Sequence, residues 1–311
     1  MRRFTTGPCL IVLAALTSLL VPTLSPIGAS AQTSAEPLYG ITIDNIGQIN
    51  TTVSAESKLP NRPTTRVYFN VSEPASYYRA AVSKVHSVSN VMGELLDSSD
   101  ATHITTSSFQ TRVESYLSTL GVSVTIWEVG NEVNGNWTGP YSDGSAKLTE
   151  AYADVAAQGA VAALTLYANE FAADSCGDGV SELTPVQYSE QYVPASVRDG
   201  LAYVFESYYP TQCQNTYPTN ALVATEMEQL HALYPNALLG FGETGLPRPA
   251  TYRKLATAER VMSWAYGLNP GLPYYVGGYF WWYARQDAFT HKKLLMSHLA
   301  AAFRSESTAL Q

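Results

Sequence analysis

Eight apolar, β-rich segments recur along this chain, and helical patterns separate most of them. They are near-continuous hydrophobic runs, which are typical of strands covered on both faces. In chain order they are Tyr39–Asp44, Thr65–Val71, Ser89–Leu95, Val122–Val129, Ala163–Ala168, Leu201–Tyr208, Ala237–Gly242 and Tyr275–Trp282. This order constrains the fold more than any other feature, because strands that alternate with helices form parallel sheets.

The clearest helical patterns lie between these segments. The pattern Ser108–Leu120 is followed by Gly121, a natural helix C-cap. The pattern Asn220–Leu233 is followed by Pro235, through which a helix cannot easily continue. The predicted helices are Ser76–Val88, Ser108–Leu120, Ala146–Ala162, Asn220–Leu233 and Thr251–Leu268. Eight strand–helix units in a chain of this length predict an α/β protein, a single-domain (β/α)8 TIM barrel. An open doubly wound sheet is the alternative, but the glycine-rich loop expected after its first strand is missing.

The N-terminus reads as a secretory signal peptide over residues 1–31. It begins with Arg2 and Arg3, continues with the apolar run Leu10–Val21, and ends in the small-residue site Ala29–Ala31. A retained anchor is the alternative. We expect the folded domain to span residues 32–311 and to be secreted to an extracellular or periplasmic location, with no membrane association after cleavage.

Charge and motif content exclude several classes of function. Residues 1–31 hold two arginines and no acids, so their removal takes the formal charge from −8 to −10. Such an acidic protein is a poor candidate for binding nucleic acid. The five histidines show no metal-like spacing, and neither a phosphate-binding loop nor a Gly-x-Ser-x-Gly elbow occurs. The sequence therefore predicts no metal site and no cofactor, and we expect a monomer.

Two cysteines, Cys176 and Cys213, remain after the signal peptide is removed. An even number of cysteines in an exported protein predicts a disulfide, and two free thiols are the alternative. Because the pair follows the fifth and sixth predicted strands, the bridge would join neighbouring loops.

Two glutamates, Glu132 and Glu243, stand where an apolar strand opens onto a glycine-flanked loop. A carboxylate at such a position is costly unless it is solvated, paired or hydrogen-bonded. They follow the fourth and seventh predicted strands, whose carboxyl ends share one rim in a TIM barrel, so we expect them to face one cleft. A carboxyl pair is the equipment of glycoside hydrolysis. Retaining pairs lie roughly 5–5.5 Å apart and inverting pairs roughly 6.5–9.5 Å apart, so the sequence leaves both mechanisms open.

The segment Ile126–Glu132 resembles the strand-end Asn-Glu signature of the clan A glycoside hydrolases. Ser207–Pro210 is similar to the Ser-Tyr-Tyr-Pro of β-1,4-galactanases. Glu243–Pro247 resembles the Glu-Thr-Gly-x-Pro of galactanases and plant-type β-1,3-glucanases. The resemblance implies a retaining (β/α)8 enzyme in which Glu132 is the acid/base and Glu243 the nucleophile.

The same resemblance implies roles for residues around the pair. Arg66 would steady the nucleophile, with an ion pair outside the barrel as the alternative, and Tyr208 would hydrogen-bond the nucleophile. For Asn131 we favour a contact with a sugar 2-hydroxyl, and a turn residue is the alternative. A tryptophan of the eighth strand would form the floor of the sugar site. The candidates are Trp281 and Trp282, and we favour Trp282.

Three other acidic residues need interpretation. Asp44 ends the first strand and would either bind a sugar hydroxyl or cap the next segment. We expect Glu128 to be buried in the barrel and paired. Glu206 departs from the family pattern, which often has a histidine or another polar residue there.

The sequence thus predicts a secreted retaining β-glycosidase that hydrolyses O-glycosidic bonds in a polysaccharide or oligosaccharide. Its only predicted partner is the carbohydrate substrate. Two alternatives stay open, a non-catalytic carbohydrate-binding barrel and a transglycosylase that shares the covalent intermediate.

Overall fold

Eight parallel strands close into a barrel in chain order in the computed structural model, which describes residues 35–171, 176, 182–290 and 293–310. The strands are β1 Leu38–Ile43, β2 Thr64–Tyr68, β3 Asn90–Glu94, β4 Ile126–Asn131, β5 Ala162–Tyr167, β6 Tyr203–Ser207, β7 Leu238–Glu243 and β8 Tyr275–Trp281. Since β8 pairs with β1 in parallel, the ring is complete and the predicted single-domain (β/α)8 TIM barrel is confirmed. The expected signal peptide, residues 1–31, lies outside the described residues.

At least one helix follows each strand in the described part of the chain. The helices are α1 Ile49–Glu56, α2 Ala75–His86, α3 Thr106–Leu120, α4 Tyr141–Ala157, α5 Pro185–Tyr192, α6 Ala195–Arg198, α7 Asn220–Leu233, α8 Leu255–Ala265 and α9 Met296–Ala309. The bounds predicted for α4, Ala146–Ala162, were wrong at both ends. The helix begins earlier, at Tyr141. It ends at Ala157, because Gly159 adopts a left-handed φ of 64° and Ala162 already begins β5.

The fourth strand is displaced from the prediction. Gly121–Ser123 forms a 3₁₀ turn, and β4 continues through Asn131 instead of stopping at Val129. Glu132 therefore follows the strand end directly, which is the position that a barrel-rim catalytic residue requires.

The barrel interior changes character along its axis. Its amino-terminal part is filled by a small apolar cluster of Met92, Ile126, Ala163, Phe205, Val276 and Phe280. Towards the carboxyl ends of the strands the inward positions become charged or polar, with Arg66, Glu94, Glu128 and Thr165 all buried. The larger apolar core lies between the strands and the helices.

A β-bulge in β7 sets the direction of Glu243. Glu206 pairs with Phe241, whereas the next residue, Ser207, pairs with Glu243, so Gly242 is the extra residue. Phe241 packs outward in the main core, and strict alternation would also turn Glu243 outward. The bulge turns it towards the barrel axis instead.

The predicted disulfide is present between Cys176 and Cys213. It joins the segment after β5 to the segment after β6. In the part of the chain that the structure describes, every helix is too short or too polar to cross a membrane.

Candidate active site

A cleft of about 420 Å³ opens at the carboxyl ends of the strands. Its lining residues are Asp97, Ser98, Glu132, Asn136, Trp137, Tyr167, Tyr209, Gln212, Glu243, Leu246, Pro247 and Trp282. Both glutamates singled out in the sequence lie on this one cavity, although β4 and β7 are not neighbours in the barrel. The lining combines carboxylates, hydroxyls, amides and aromatic rings, and it contains no lysine or arginine.

Arg66 lies fully buried beneath the cleft and joins three glutamates from three other strands. Its Nε donates to Glu128 at 2.7 Å and its Nη1 to Glu243 at 2.8 Å, while Nη2 lies 3.0 Å from Glu94. The guanidinium also lies 5.3 Å from the ring centre of Trp282. Because an arginine fork is planar and rigid, these contacts fix the direction of each carboxylate.

Glu243 is held at both carboxylate oxygens. Oε2 accepts the hydrogen bond from Arg66, and Oε1 accepts one from the hydroxyl of Tyr209. Only 6 % of Glu243 is exposed. These two contacts fix the direction of the carboxylate, and the cation at one oxygen favours its charged form against the effect of burial.

Glu132 is held only by neutral donors. Its Oε1 accepts from the hydroxyl of Ser207 and its Oε2 from Ser98 at 2.6 Å. The residue has a left-handed φ of 48°, and its backbone N–H donates to Thr165. A non-glycine residue in this region is strained, and such strain clusters at functional sites.

The two cleft carboxyl groups, Glu132 and Glu243, have different electrostatic surroundings. Burial raises the pKa of Glu132, and the serine hydroxyls oppose this. Burial raises the pKa of Glu243 to about 8, with Arg66 opposing the effect and the Glu132 charge adding to it. The charge of Glu132 acts on Glu243, so the two carboxyls titrate as a coupled pair. The Arg66 cation contacts Glu243 and not Glu132, which is the main electrostatic difference between the two sites.

Glu94 and Glu128 complete the buried network. Burial raises the pKa of Glu94 well above that of an exposed glutamate, and the Arg66 cation opposes this effect. Glu128 is buried in the barrel and paired with Arg66, as expected, and it accepts a second hydrogen bond from Thr165. Arg66 thus contacts all three carboxyl groups of the network.

The tyrosine that contacts Glu243 is Tyr209, and the sequence-based choice of Tyr208 was wrong. Tyr208 points away from the barrel, packs against Phe171 and Trp264, and donates its hydroxyl proton to the carbonyl of Thr216. The reason is strand alternation along β6 and its extension, which turns Ser207 and Tyr209 inward and Tyr208 outward.

Of the two candidate tryptophans, Trp282 faces the cleft. Trp281 is 1 % exposed and donates its ring N–H to Asp287 on the outer side of the barrel. A second aromatic surface comes from Trp137, whose ring packs edge-on against Tyr167. Aromatic faces of this kind provide apolar surfaces against which a sugar ring can stack.

Asn131 and Asp44 lie apart from the cleft lining. The Oδ1 of Asn131 accepts the backbone N–H of Ser98 at 3.0 Å, and its buried Nδ2 has no hydrogen-bond partner. Asp44 is occupied by Arg285 and Gln286, whose side chains donate to its carboxylate. The structure therefore leaves Asn131 with a free donor and gives Asp44 a structural ion pair.

Sequence reasoning missed Ser98, Ser207, Tyr209 and Asp97. Ser207 and Tyr209 stand within the Ser-Tyr-Tyr-Pro motif, so alternation counted from buried Phe205 could have found them. Asp97 caps the 3₁₀ segment Ser98–His103 and also lines the cleft. A loop after β3 gives no comparable signal in the sequence.

No protein-family model matches this chain, and no curated protein sequence does. Solved structures match it at low identity. A GH10 xylanase from Bispora sp. MEY-1 is 13 % identical with a TM-score of 0.56, covering 85 % of this chain and 95 % of the xylanase chain. The catalytic domain of the major endoglucanase of Xanthomonas campestris is 12 % identical with a TM-score of 0.54, covering 86 % and 95 %.

A plant β-glucan endohydrolase gives a third match at 14 % identity and a TM-score of 0.51, covering 80 % of this chain and 90 % of the plant chain. At these identities the comparisons establish the fold. This chain shares with these three proteins a closed barrel of eight parallel strands.

Proposed function

We propose that this protein is a secreted retaining β-glycosidase that hydrolyses O-glycosidic bonds in a polysaccharide or oligosaccharide. One observation carries the proposal. Glu132 and Glu243 face one cleft from the ends of β4 and β7, and only Glu243 is fixed by a cation. That asymmetry supports Glu243 as nucleophile and Glu132 as acid/base.

The chemistry would proceed in two displacements. Glu243 attacks the anomeric carbon while the glycosidic bond breaks, and the proton of Glu132 passes to the leaving oxygen. Glu132, now a carboxylate, then takes a proton from water, and the water oxygen displaces Glu243 from the sugar. Arg66 and Tyr209 hold the nucleophile in place for both steps.

The remaining cleft residues supply sugar contacts in this proposal. Trp282 provides a floor beside the nucleophile and Trp137 a second stacking surface. Asn131 is buried outside the cleft lining, so its contribution in this proposal is to hold the backbone of Ser98, a residue that does line the cleft. Because the lining offers three carboxylates and no basic side chain, uncharged sugars fit it better than uronic acids.

Secretion belongs to the same proposal. The signal-like segment 1–31 supports export, and the Cys176–Cys213 disulfide is typical of proteins from oxidising compartments.

The test is a screen of the mature protein against galactan, glucans, mannan and xylan, with product size and anomeric configuration followed by chromatography and NMR. A retaining hydrolase first releases the β-anomer, and its products are all shorter than the substrate. Accumulation of longer oligosaccharides would identify a transglycosylase instead, and binding without cleavage would identify a carbohydrate-binding barrel.

Variants then assign the roles. Glu243→Ala should lose more than about 10³-fold in activity, and azide should restore turnover by forming an α-glycosyl azide. Glu132→Ala should slow substrates with poor leaving groups most, and azide should give the β-glycosyl azide. Glu150→Ala, on the exposed face of α4, is the matched control and should retain wild-type activity. Full activity in both cleft variants would overturn the proposal.

A further inference from the structure

Three glutamates from distant parts of the chain converge outside the cleft, between the barrel and its helices. Glu170 follows β5, Glu206 lies in β6 and Glu226 lies in α7. One carboxylate oxygen from each lies within 4.8 Å of the other two. Because Phe205 and Ser207 face the barrel axis, Glu206 between them faces the helix layer and takes no part in the cleft.

Glu206 is the least compensated of the three. It is fully buried, and no donor group of the described residues reaches either of its carboxylate oxygens, whose polar neighbour at hydrogen-bond range is the Glu170 carboxyl group. Its carboxylate points at those of Glu170 and Glu226, each of which also has one buried oxygen without a partner. A buried carboxylate in this state is unfavourable unless a cation or a proton offsets its charge.

No protein cation fills this role in the described part of the chain. The ion pairs found there involve other acids, and none includes a member of this trio. The four unpartnered oxygens are therefore free to serve as ligands to a bound ion.

The geometry points to a binding site for a hard divalent cation of the calcium type, held by Glu170, Glu206 and Glu226. Carboxylate oxygens alone suit calcium, magnesium or manganese rather than zinc or copper. Calcium–oxygen bonds are about 2.3–2.6 Å long, so ligands on opposite sides of one ion stand about 4.6–5.2 Å apart. Oxygens within 4.8 Å of one another fit around such an ion.

The position of the site defines what the cation does. It ties together the segment after β5, strand β6 and helix α7, and the Cys176–Cys213 disulfide joins the same β5 and β6 loops. Ser207, next to Glu206, donates to Glu132 in the cleft. The ion therefore stabilises the fold and holds the rim segment that positions Glu132.

The experiment uses the mature protein, freed of metal with a chelator and titrated with CaCl₂, MnCl₂ or MgCl₂. Calorimetry should give one calcium per chain, and calcium should raise the melting temperature. Glu206→Gln and Glu226→Gln should bind calcium at least about tenfold more weakly and lose the thermal shift. Glu228→Gln, an exposed neighbour on the same helix, is the matched control and should bind as wild type.

Two results would overturn the inference. One is a wild-type protein that binds none of the three ions at millimolar concentration and melts identically with chelator, which would mean that the trio holds shared protons. The other is undiminished binding in Glu206→Gln.

If either variant fails to fold, the luminescence of terbium added to the wild-type protein tests the site. Emission sensitised through the Tyr208–Trp264 aromatic pair and displaced by calcium supports the site, and its absence rejects it. None of these measurements involves glycoside cleavage, so this inference and the proposed function can fail separately.

Discussion

Arg66 donates its Nη1 hydrogen to Glu243 across 2.8 Å, inside a barrel where the arginine is completely buried. A buried ion pair is not by itself evidence of stability, because removing both charges from water is costly. This ion pair instead fixes the position of side chains. The rigid guanidinium of Arg66 aligns the Glu243 carboxylate, which faces the cleft, with the carboxyl groups of Glu94 and Glu128, which do not.

Replacement of Arg66 by alanine should therefore cost both stability and activity. The variant leaves buried carboxylates without their cation, which typically destabilises a fold by about 3–5 kcal/mol. Urea unfolding measures this, with Glu150→Ala expected within about 0.5 kcal/mol of wild type. A stable Arg66→Ala protein with unchanged activity would contradict the role assigned to the fork.

The two adjacent tyrosines give a matched pair of variants. Tyr209→Phe removes a hydrogen bond to the Glu243 carboxylate, worth about 1.5–3 kcal/mol, so kcat should fall about 10–100-fold. Tyr208→Phe removes a neutral bond to the Thr216 carbonyl, so it should change stability by about 1 kcal/mol and leave kcat alone. Steady-state kinetics on both variants checks this, and equal effects would reject the assignment.

The hydroxyl of Ser207 should tune the acid/base residue. It donates to the carboxylate form of Glu132 and so lowers its pKa, in opposition to burial. Ser207→Ala should raise the pKa of Glu132 and move the alkaline limb of the kcat/KM profile to higher pH. Ser207→Thr keeps a hydroxyl, so the alkaline limb of its kcat/KM profile should lie near the pH found for the wild type. A shift to lower pH in the alanine variant would be inconsistent with this contact.

The protein should be most stable in acid because of groups such as Glu56, at the end of α1. Burial raises its pKa to about 8 from the ordinary value of 4.5. A raised folded-state pKa contributes stability that is complete below 4.5 and is lost as pH rises towards 8. The melting temperature should fall across this window, and less steeply in Glu56→Gln. Parallel profiles for the two proteins would show that Glu56 does not contribute.

Gly242 should tolerate no side chain. An added Cβ would lie 2.5 Å from the Thr165 hydroxyl and 2.8 Å from the Cβ of Phe205. Gly242→Ala should displace Thr165 from Glu128, shift the β7 bulge, and cost about 1–3 kcal/mol together with activity. Gly121→Ala, where nothing lies within 4 Å, is the control. Thermal melts and kinetics of the two variants decide the point.

The sequence supplied much of the fold, because strand segments covered on both faces leave a strong hydrophobic signal. Every strand segment except the fourth was predicted closely, as were the bounds of α7 and the disulfide partner of Cys176. The errors lie where backbone conformation overrides composition. Gly159 ends α4 early, and the 3₁₀ turn Gly121–Ser123 delays β4.

For the candidate site, the sequence by itself determined the two strand-end glutamates, since charged residues at the ends of apolar strands are costly without a purpose. Arg66 came from the family resemblance, and its burial came from the structure. Only the tertiary structure decided which neighbours hold the two glutamates. Tyr209 and not Tyr208 contacts Glu243, Trp282 and not Trp281 faces the cleft, and Glu206 lies beside two acids from the segment after β5 and from α7. The physical reason is that strand alternation, a bulge at Gly242 and barrel closure fix side-chain directions, and these are properties of the assembled sheet.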